Sequence, residues 1–415
     1  MGFQQGLSGL NAASKNLDVI GHNIANSGTV GFKASRTEFD EMVASAIGSA
    51  NGTNGGIGVS VGAIAQQFTQ GNISVTGNNL DVAINGNGFF QIQQNDGTMA
   101  YTRAGNFKLD KDGNVITNAG GKVMGYPVDP ATGKPTAGSP RPLVFPTGEP
   151  IPAKRTTTIT ASFNLDARAV AAATATPPTP RATYGTSINV YDDQGVATTV
   201  SLYFEKTANP NEWNVYDSLN PAEPPLAGGP IKFDNYGKII GPAATPPATG
   251  FQLPVTITPP TPNPNNLPAY TVQVSLDGAT QFGTKFAVSE LTQDGYTAGQ
   301  LTGINIGTDG TILTRYSNGV TRPEGVVSLA TFRNTQGLSD IGNNLWVETY
   351  ESGQPTVGQP TNGAFGALRS GALEDSNVDL TAELVNMMTA QRAYQANAQT
   401  IKTQDQIMST LVNLR

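Results

Sequence analysis

The sequence predicts a mainly β protein with a helix at each end, in which the two helices form an inner coiled coil and the β structure forms two nested domains. Helical hydrophobic periodicity occurs only at the two ends of the 415-residue chain. Between them, short alternating runs are separated by Asn-Gly and Asp-Gly dipeptides, which are turn signals. The 48 Gly and 28 Pro favour turn-rich β structure over long helices.

The first helix is predicted by apolar residues at heptad spacing. They are Phe3, Leu7, Leu10, Leu17 and Ile24. The sequence Asn26-Ser27-Gly28 predicts its end. A helix of this kind usually packs on a globular core, but residues 1–14 carry no charged side chain and a short helix with so polar a seam is marginal in water. We therefore expect the two ends of the chain to pair with each other or with neighbouring subunits.

The last helix is predicted to run from about Leu380 to Leu414. Its heptad positions, with one residue of a second stripe, are Leu380, Leu384, Met387, Tyr394, Ile401, Met408 and Leu411. Ser376 and Asp379 have the spacing of a capping box. Glu374, Asp375, Asp379 and Glu383 are expected to place negative charge at the positive end of the helix dipole.

The region between the helices divides into nested parts. Dipeptides such as Asp96-Gly97 and Asp309-Gly310 predict type I′ hairpin turns, and residues 101–117 predict a hairpin. Proline density in residues 205–268 excludes helices and central strands there. The predicted domains are an inner helical domain, a connecting segment, a discontinuous inner β domain and an outer β domain inserted in it. Their ranges are 1–30 with 372–415, 31–70, 71–147 with 284–371, and 148–283.

Composition excludes several classes of chemistry. The chain has no cysteine, so disulfides and thiolate sites are excluded, and its single histidine, His22, cannot form a histidine metal cluster. The net charge of −7 argues against nucleic acid, and no apolar stretch reaches the length of a membrane span. We predict no catalytic, cofactor or metal residues. A catalytic carboxylate pair stays open, although nothing singles one out.

The segment from Asn16 to Lys33 resembles the N-terminal motif of flagellar rod and hook proteins. The residues that carry it are Asn16, Leu17, Asn23, Ile24, Asn26, Gly31, Phe32 and Lys33. Residues 77–90, 101–107, 293–303 and 370–394 are also similar to this family. His22 departs from it, because the family commonly has Asn at this position.

The resemblance implies a structural subunit, not an enzyme, that self-assembles into a helical polymer. Its terminal helices would form the inner domain, residues near 26–70 would bridge subunits, and both β domains would project outward. The long insert favours the hook, a curved tube acting as a universal joint, over the distal rod. The implied partners are further copies of the chain, the distal rod, the hook cap, the hook–filament junction proteins and the flagellar type III export apparatus.

The implied location is the extracellular part of the flagellum, at the basal body and hook. The N-terminus has no basic and apolar regions of a cleavable signal, so we expect export without cleavage. Two alternatives remain. One is a distal rod or hook-associated subunit, and the other is a secreted all-β carbohydrate-binding or hydrolytic protein. Trp213 and Trp346 could stack on sugar in such a protein, although isolated Trp residues more often lie in a core.

Overall fold

A computed structural model of the chain describes residues 2–43, 56–129, 133–136, 138–145, 150–172, 179–242, 250–258 and 268–413. Its helices are α1 (Gly2–Ala25) and α2 (Leu380–Asn413), with two 3₁₀ turns at Arg181–Tyr184 and Thr335–Gly337. The strands, in chain order, are β1 (Ser35–Val43), β2 (Gly56–Gln66), β3 (Ile73–Val75), β4 (Val82–Asn85), β5 (Phe89–Gln93), β6 (Met99–Thr102), β7 (Lys108–Leu109), β8 (Val115–Ile116), β9 (Lys122–Pro127), β10 (Arg141–Pro142), β11 (Thr158–Asp166), β12 (Gly185–Tyr191), β13 (Ala197–Lys206), β14 (Glu212–Tyr216), β15 (Ile231–Phe233), β16 (Ile239–Gly241), β17 (Gln252–Ile257), β18 (Tyr270–Ser275), β19 (Thr280–Phe282), β20 (Ala287–Gln293), β21 (Leu301–Ile306), β22 (Thr311–Tyr316), β23 (Thr321–Val327), β24 (Leu329–Thr331), β25 (Ser339–Asp340), β26 (Leu345–Val347), β27 (Thr356–Gly358), β28 (Ala367–Ser370) and β29 (Ala372–Glu374). The predicted fold class, mainly β with helical ends, is confirmed.

The start of α2 differs from the predicted capping box. The Asp379 carboxylate accepts hydrogen bonds from the N–H groups of Thr381 and Ala382, at 2.9 and 3.1 Å, so Asp379 is itself the N-cap. The Ser376 hydroxyl accepts from the Val378 N–H, before the helix begins. The box was wrong because an Asp three residues after a Ser can itself cap the helix.

The chain divides into two compact units. Unit 1 comprises residues 1–148, 302–315 and 321–415, and unit 2 comprises residues 149–301 and 316–320. Unit 1 contains both helices, the β1–β2 ribbon and a 13-stranded sheet with the central order β21-β22-β23-β9-β5-β6-β26-β25. Its aromatic core includes Phe89, Tyr101 and Trp346, which lie edge to face with neighbouring rings.

Unit 2 consists of two five-stranded sheets that share one hydrophobic core. One sheet has the order β12-β13-β14-β15-β16, and the other has the order β17-β18-β11-β19 with β20 also paired to β11. Trp213 lies in this core and is fully buried. Alternate residues along β11 and β13 are buried, as expected for strands with one face on a core.

The boundaries of unit 2 can be compared with the predicted outer domain, residues 148–283. Unit 2 begins at residue 149 and continues beyond residue 283, because β20 pairs antiparallel with β11. Within the predicted connecting segment, β1 and β2 form an antiparallel ribbon, and residues 44–55 lie outside the described part of the chain.

The hairpin turns have a different geometry from the predicted type I′. In the turn after Gln94, the Gly97 N–H donates to the Gln94 carbonyl and the Gln94 N–H donates to the Thr98 carbonyl. Gly97 has φ +87° whereas Asp96 is not among the described residues with positive φ. This is a type I turn closed by a glycine bulge. The same hydrogen-bond pattern recurs at 110–114, 307–311 and 316–320, so the Asp or Asn before each glycine stays in the ordinary region.

Candidate functional site

The terminal helices pack antiparallel within unit 1, at a distance set by small residues. A Cβ atom added to Gly6 would lie 3.0 Å from the Ile401 side chain, and one added to Gly9 would lie 2.9 Å from the Asn397 amide. Near the opposite end of the pair, the Asn23 amide donates to Glu383 Oε1 at 3.2 Å. Two backbones can approach this closely only where one helix presents glycine or alanine.

The covered face of α1 is displaced by one residue from the predicted seam. Besides Ala12 and Val19, which are also buried, its covered residues form a line with the spacing three, four, three, four, three, as a helix seam requires. They are Gly6, Gly9, Ala13, Asn16, Ile20 and Asn23. The predicted residues lie beside it: Phe3 and Leu7 are 51% and 44% exposed, and Leu10, Leu17 and Ile24 are half-buried.

On α2 the prediction and the structure share three positions. Met387 and Ile401 are half-buried and Tyr394 is 37% exposed, on the line of positions that also includes Glu383, Ala390 and Asn397. The other predicted residues, Leu380, Leu384 and Met408, are 46%, 47% and 60% exposed. The side chain of Leu411 lies outside the described residues.

An uncovered apolar stripe therefore follows the N-terminal half of α2. We call it the outer stripe and define it as Leu380, Leu384, Val385 and Met388, which are all between 46% and 53% exposed. The first, second and fourth are four residues apart and share a face of the helix. The sequence reasoning missed Val385 and Met388 because it fitted a single heptad line. Contiguous exposed apolar surface is common at interaction sites, which makes the outer stripe a candidate for contact with another chain.

The motif residues at the end of α1 anchor the chain as it leaves the helix. Asn23 is 1% exposed; its amide donates to the Ser35 carbonyl at 2.8 Å and its carbonyl accepts from the Ser35 N–H at 2.9 Å. The Asn26 amide donates to the His22 carbonyl at 2.9 Å and so closes the last turn. These side chains take the place of backbone partners that the helix end lacks.

Gly31 is required by its conformation and by its surroundings. It has φ +70°, and an added Cβ atom would lie 2.5 Å from the Ala104 backbone nitrogen. Its N–H donates to the Glu374 carbonyl at 2.8 Å. The next residue, Phe32, is buried and meets the His22 ring edge to face, with centroids 5.5 Å apart. His22 thus makes an aromatic contact, and its Nδ1 also lies 3.4 Å from the amide nitrogen of Asn26.

A buried ion cluster joins three distant parts of the chain. We call Lys33, Arg103 and Glu374 the Glu374 cluster. Lys33 Nζ donates to Glu374 Oε1 at 2.6 Å, and Arg103 donates to Glu374 Oε2 at 3.2 Å. The side chains of Lys33 and Glu374 are fully buried and that of Arg103 is 6% exposed. One carboxylate therefore pairs with two buried cations, which leaves the cluster one positive charge in excess.

Burial and pairing act in opposite directions on these cations. Burial lowers the pKa of Lys33, and the carboxylate of Glu374 opposes this fall. The pKa of Arg103 is also lowered by burial and supported by Glu374. Further hydrogen bonds hold the cluster: Lys33 donates to the Thr69 carbonyl and the Gly71 N–H donates to Glu374 Oε1.

The predicted role of Glu374 at the helix dipole is wrong, because Glu374 lies on β29, where it pairs with β3 and faces the interior.

Asn377, three residues after Glu374, also joins the two ends of the chain. Its carbonyl accepts from the Ala34 N–H at 2.7 Å and its amide donates to the Gln67 carbonyl at 2.7 Å. Sequence reasoning missed Arg103, Glu374 and Asn377 as partners of the N-terminal motif. A signal existed, since all three lie within the segments that resemble rod and hook proteins.

The sites expected of the carbohydrate alternative are not formed. Trp213 is 0% exposed and Trp346 is 2% exposed, so neither can stack on a sugar. Across the described part of the chain, no three His, Asp or Glu residues group as metal ligands. No described helix combines the length and apolarity needed to cross a membrane.

Four flagellar family profiles match successive parts of the chain. They are described as flagellar basal body rod protein for residues 3–33, flagellar hook protein FlgE/F/G D1 domain for residues 83–164, flagellar basal body protein FlaE D2 domain for residues 164–296, and flagellar basal body rod FlgEFG protein C-terminal for residues 369–414.

Relatives with similar sequences extend over the whole chain. The flagellar hook protein FlgE of Salmonella typhimurium is 42% identical over all of both chains, and that of Escherichia coli K12 is equally similar. The Borreliella burgdorferi protein is 34% identical over 99% of this chain and 98% of its own. Among solved structures, the Helicobacter pylori flagellar hook protein FlgE2 matches 72% of this chain and all of its own with a TM-score of 0.50 and 16% identity, which is a likeness of fold.

Proposed function

This chain belongs to the flagellar hook protein family, and on that premise we propose that it is a structural subunit that self-assembles into the flagellar hook. The observation that carries this proposal is the outer stripe of α2, which unit 1 leaves uncovered. Contacts between unlike surfaces that do not close on themselves produce an open helical polymer. A stripe of leucine, valine and methionine supplies an apolar contact for each added subunit.

In this proposal, both faces of the helix pair take part in self-assembly. The shared positions Met387, Tyr394 and Ile401 hold α2 near α1, whereas Phe3, Leu7, Leu384 and Met408 offer apolar surface to other copies. The Glu374 cluster fixes the direction in which the chain leaves α1 and enters α2. The cluster thus holds the helix pair, which carries the assembly surface, against the β structure of unit 1.

The domain plan follows from the same premise. We propose that the terminal helices form the inner domain, that the β1–β2 ribbon bridges subunits, and that the two β domains project outward in the polymer. Firm inner contacts combined with outer contacts that slide would let a curved tube bend while it rotates, as a universal joint must. The proposed outer domain is unit 2.

We also propose the wider setting that the family implies. The subunit would be exported without a cleaved signal through the flagellar type III apparatus and would contact the distal rod, the hook cap and the hook–filament junction proteins. It would act outside the cell and have no catalytic activity, nucleic-acid partner or membrane insertion. The support is the similarity to hook proteins, and the burial of both tryptophans argues only against the carbohydrate-binding alternative.

We expect the free subunit to be cut first at its ends. The seam between α1 and α2 is mostly glycine, alanine and amide side chains, so pairing gives little apolar stabilisation. Trypsin should cleave rapidly at Lys15, Arg392 and Lys402 in dilute protein and slowly in the β units. The same sites should be protected in pelleted polymer. Ends as resistant as the β units in dilute protein would contradict this prediction.

Removing unit 2 should spare assembly. We expect a chain in which residues 149–301 are replaced by a short Gly-Ser linker to pellet at a concentration similar to that of the intact chain, because α1, α2 and the Glu374 cluster all lie in unit 1. Its polymer should differ in curvature or stiffness, measured by electron microscopy. A shortened protein that keeps the far-UV spectrum of a folded unit 1 and yet forms no polymer would contradict the domain plan.

A further inference from the structure

A polar cleft of about 460 Å³ lies where α1, α2 and β1 meet. Two of its lining groups are buried acceptors that have no hydrogen-bond partner among the described residues, namely Oε2 of Glu383 and Oγ1 of Thr37. Thr37 is 8% exposed. The other oxygen of Glu383 accepts from Asn23, which fixes the carboxylate in place.

The carboxylate oxygen requires a donor, which water or an incoming group can supply, and the Thr37 hydroxyl can both donate and accept. Leaving a buried polar atom without a partner costs free energy, and more so for a charged group. A cleft lined by a carboxylate oxygen and a hydroxyl suits a cation with several N–H groups. Arg36 also lines the cleft, but its guanidinium donates to Glu38 at 2.6 Å and both side chains are largely exposed.

We propose that this cleft receives the guanidinium of Arg392 from a neighbouring copy of the chain. The inference rests on the proposed self-assembly, because only a polymer brings a second α2 to this place. Arg392 is exposed and has no ion-pair partner among the described residues. It lies one helical turn beyond Met388, so it extends the outer stripe that meets the neighbour.

The chemistry favours Arg392 over the other described cation of α2, Lys402. A guanidinium offers five donors in a planar fork and can bond a carboxylate and a hydroxyl together, whereas an ammonium acts as a point charge. Lys402 also lies ten residues beyond Arg392 along the helix, about 15 Å further from the outer stripe. The contact would set the register between copies, while the apolar stripe supplies most of the affinity.

The test exchanges the two charges between separate proteins. Glu383→Arg and Arg392→Glu should each raise the critical concentration for pelleting at least about tenfold. An equal mixture of the two proteins should pellet near the wild-type concentration, because each cleft then meets a neighbour of opposite charge. Arg36→Gln and Lys402→Gln are the matched controls and should pellet like wild type. Thermal melts of dilute protein check that each variant folds.

Each outcome separates this inference from the proposed function. Wild-type protein that never pellets would overturn the proposed function itself. Wild-type protein that pellets, with both charge variants pelleting equally well or with a mixture no better than either alone, would overturn only the Arg392 contact. A defect in Arg36→Gln or Lys402→Gln as large as that of Arg392→Glu would also overturn it, because another cation would then fill the cleft.

Discussion

Replacing Leu384 with aspartate is expected to raise the critical concentration for polymerisation more than about a hundredfold and to leave the melting temperature of the dilute protein unchanged. Leu384 is 47% exposed on the outer stripe, so burying its remaining surface against a neighbour contributes about 1 kcal/mol. An aspartate there forfeits that contribution and adds about 2 kcal/mol or more for desolvating a carboxylate. The penalty recurs at every subunit added.

The control for this change is Ile240→Asp. Ile240 is also a branched aliphatic residue, 58% exposed, and it lies on β16 of unit 2. Sedimentation measures assembly and a thermal melt measures folding on the same samples. If Leu384→Asp protein pellets normally, the outer stripe is not an assembly surface. If its dilute form melts at a much lower temperature than wild type, the stripe belongs to the fold of the subunit.

The second large effect is expected from Glu374→Gln. This change keeps the side-chain shape but leaves Lys33 and Arg103 buried without a counter-charge, which costs about 3–5 kcal/mol. Unit 1 should therefore unfold at a lower temperature and a lower denaturant concentration. The matched control is Glu38→Gln, since Glu38 pairs with Arg36 on the surface, and its loss should change stability by less than about 1 kcal/mol.

The stability of the Glu374→Gln protein is also expected to depend on pH. Burial already lowers the pKa of Lys33 below its usual 10.5, and removing the carboxylate that opposes this effect lowers it further. The unfolded chain then binds more protons than the folded one between the folded pKa and 10.5, so stability increases as pH rises through that window. In denaturant unfolding, the free energy of unfolding of the Glu374→Gln protein should be closer to that of wild type near pH 10 than at pH 7. Equal destabilisation at both pH values would mean that the charge imbalance is not the cause.

The sequence predicted the positions of the two terminal helices because the signals for a helix are local. Periodicity located α1 and α2, and Asn26-Ser27-Gly28 marked the end of α1, which the structure places at Ala25. The register of the helix pair could not be derived in this way. The prediction placed the largest apolar residues in the seam, but close approach of two backbones selects Gly6, Gly9 and Ala13 instead and leaves Phe3 and Leu7 outside. In the proposed assembly, the exposed apolar residues of these helices contact other copies, and a single chain does not contain those contacts.

The Glu374 cluster could not be predicted from the sequence for a related reason. Its members are separated by up to 341 residues along the chain, and their pairing depends on β29 returning beside β3. No local sequence pattern determines that β29 pairs with β3. The resemblance named the segments that hold Lys33, Arg103 and Glu374, but only the folded chain shows that one carboxylate serves two cations.

Electron microscopy of concentrated purified protein tests the central claim most directly. If the chain is a hook subunit that assembles through its terminal helices, negative-stain images of pelleted wild-type protein should show hollow tubes or fibres of constant diameter. Leu384→Asp protein at the same concentration should show separate particles. Wild-type protein that gives only monomers, closed rings or shapeless aggregates at every concentration would contradict the account.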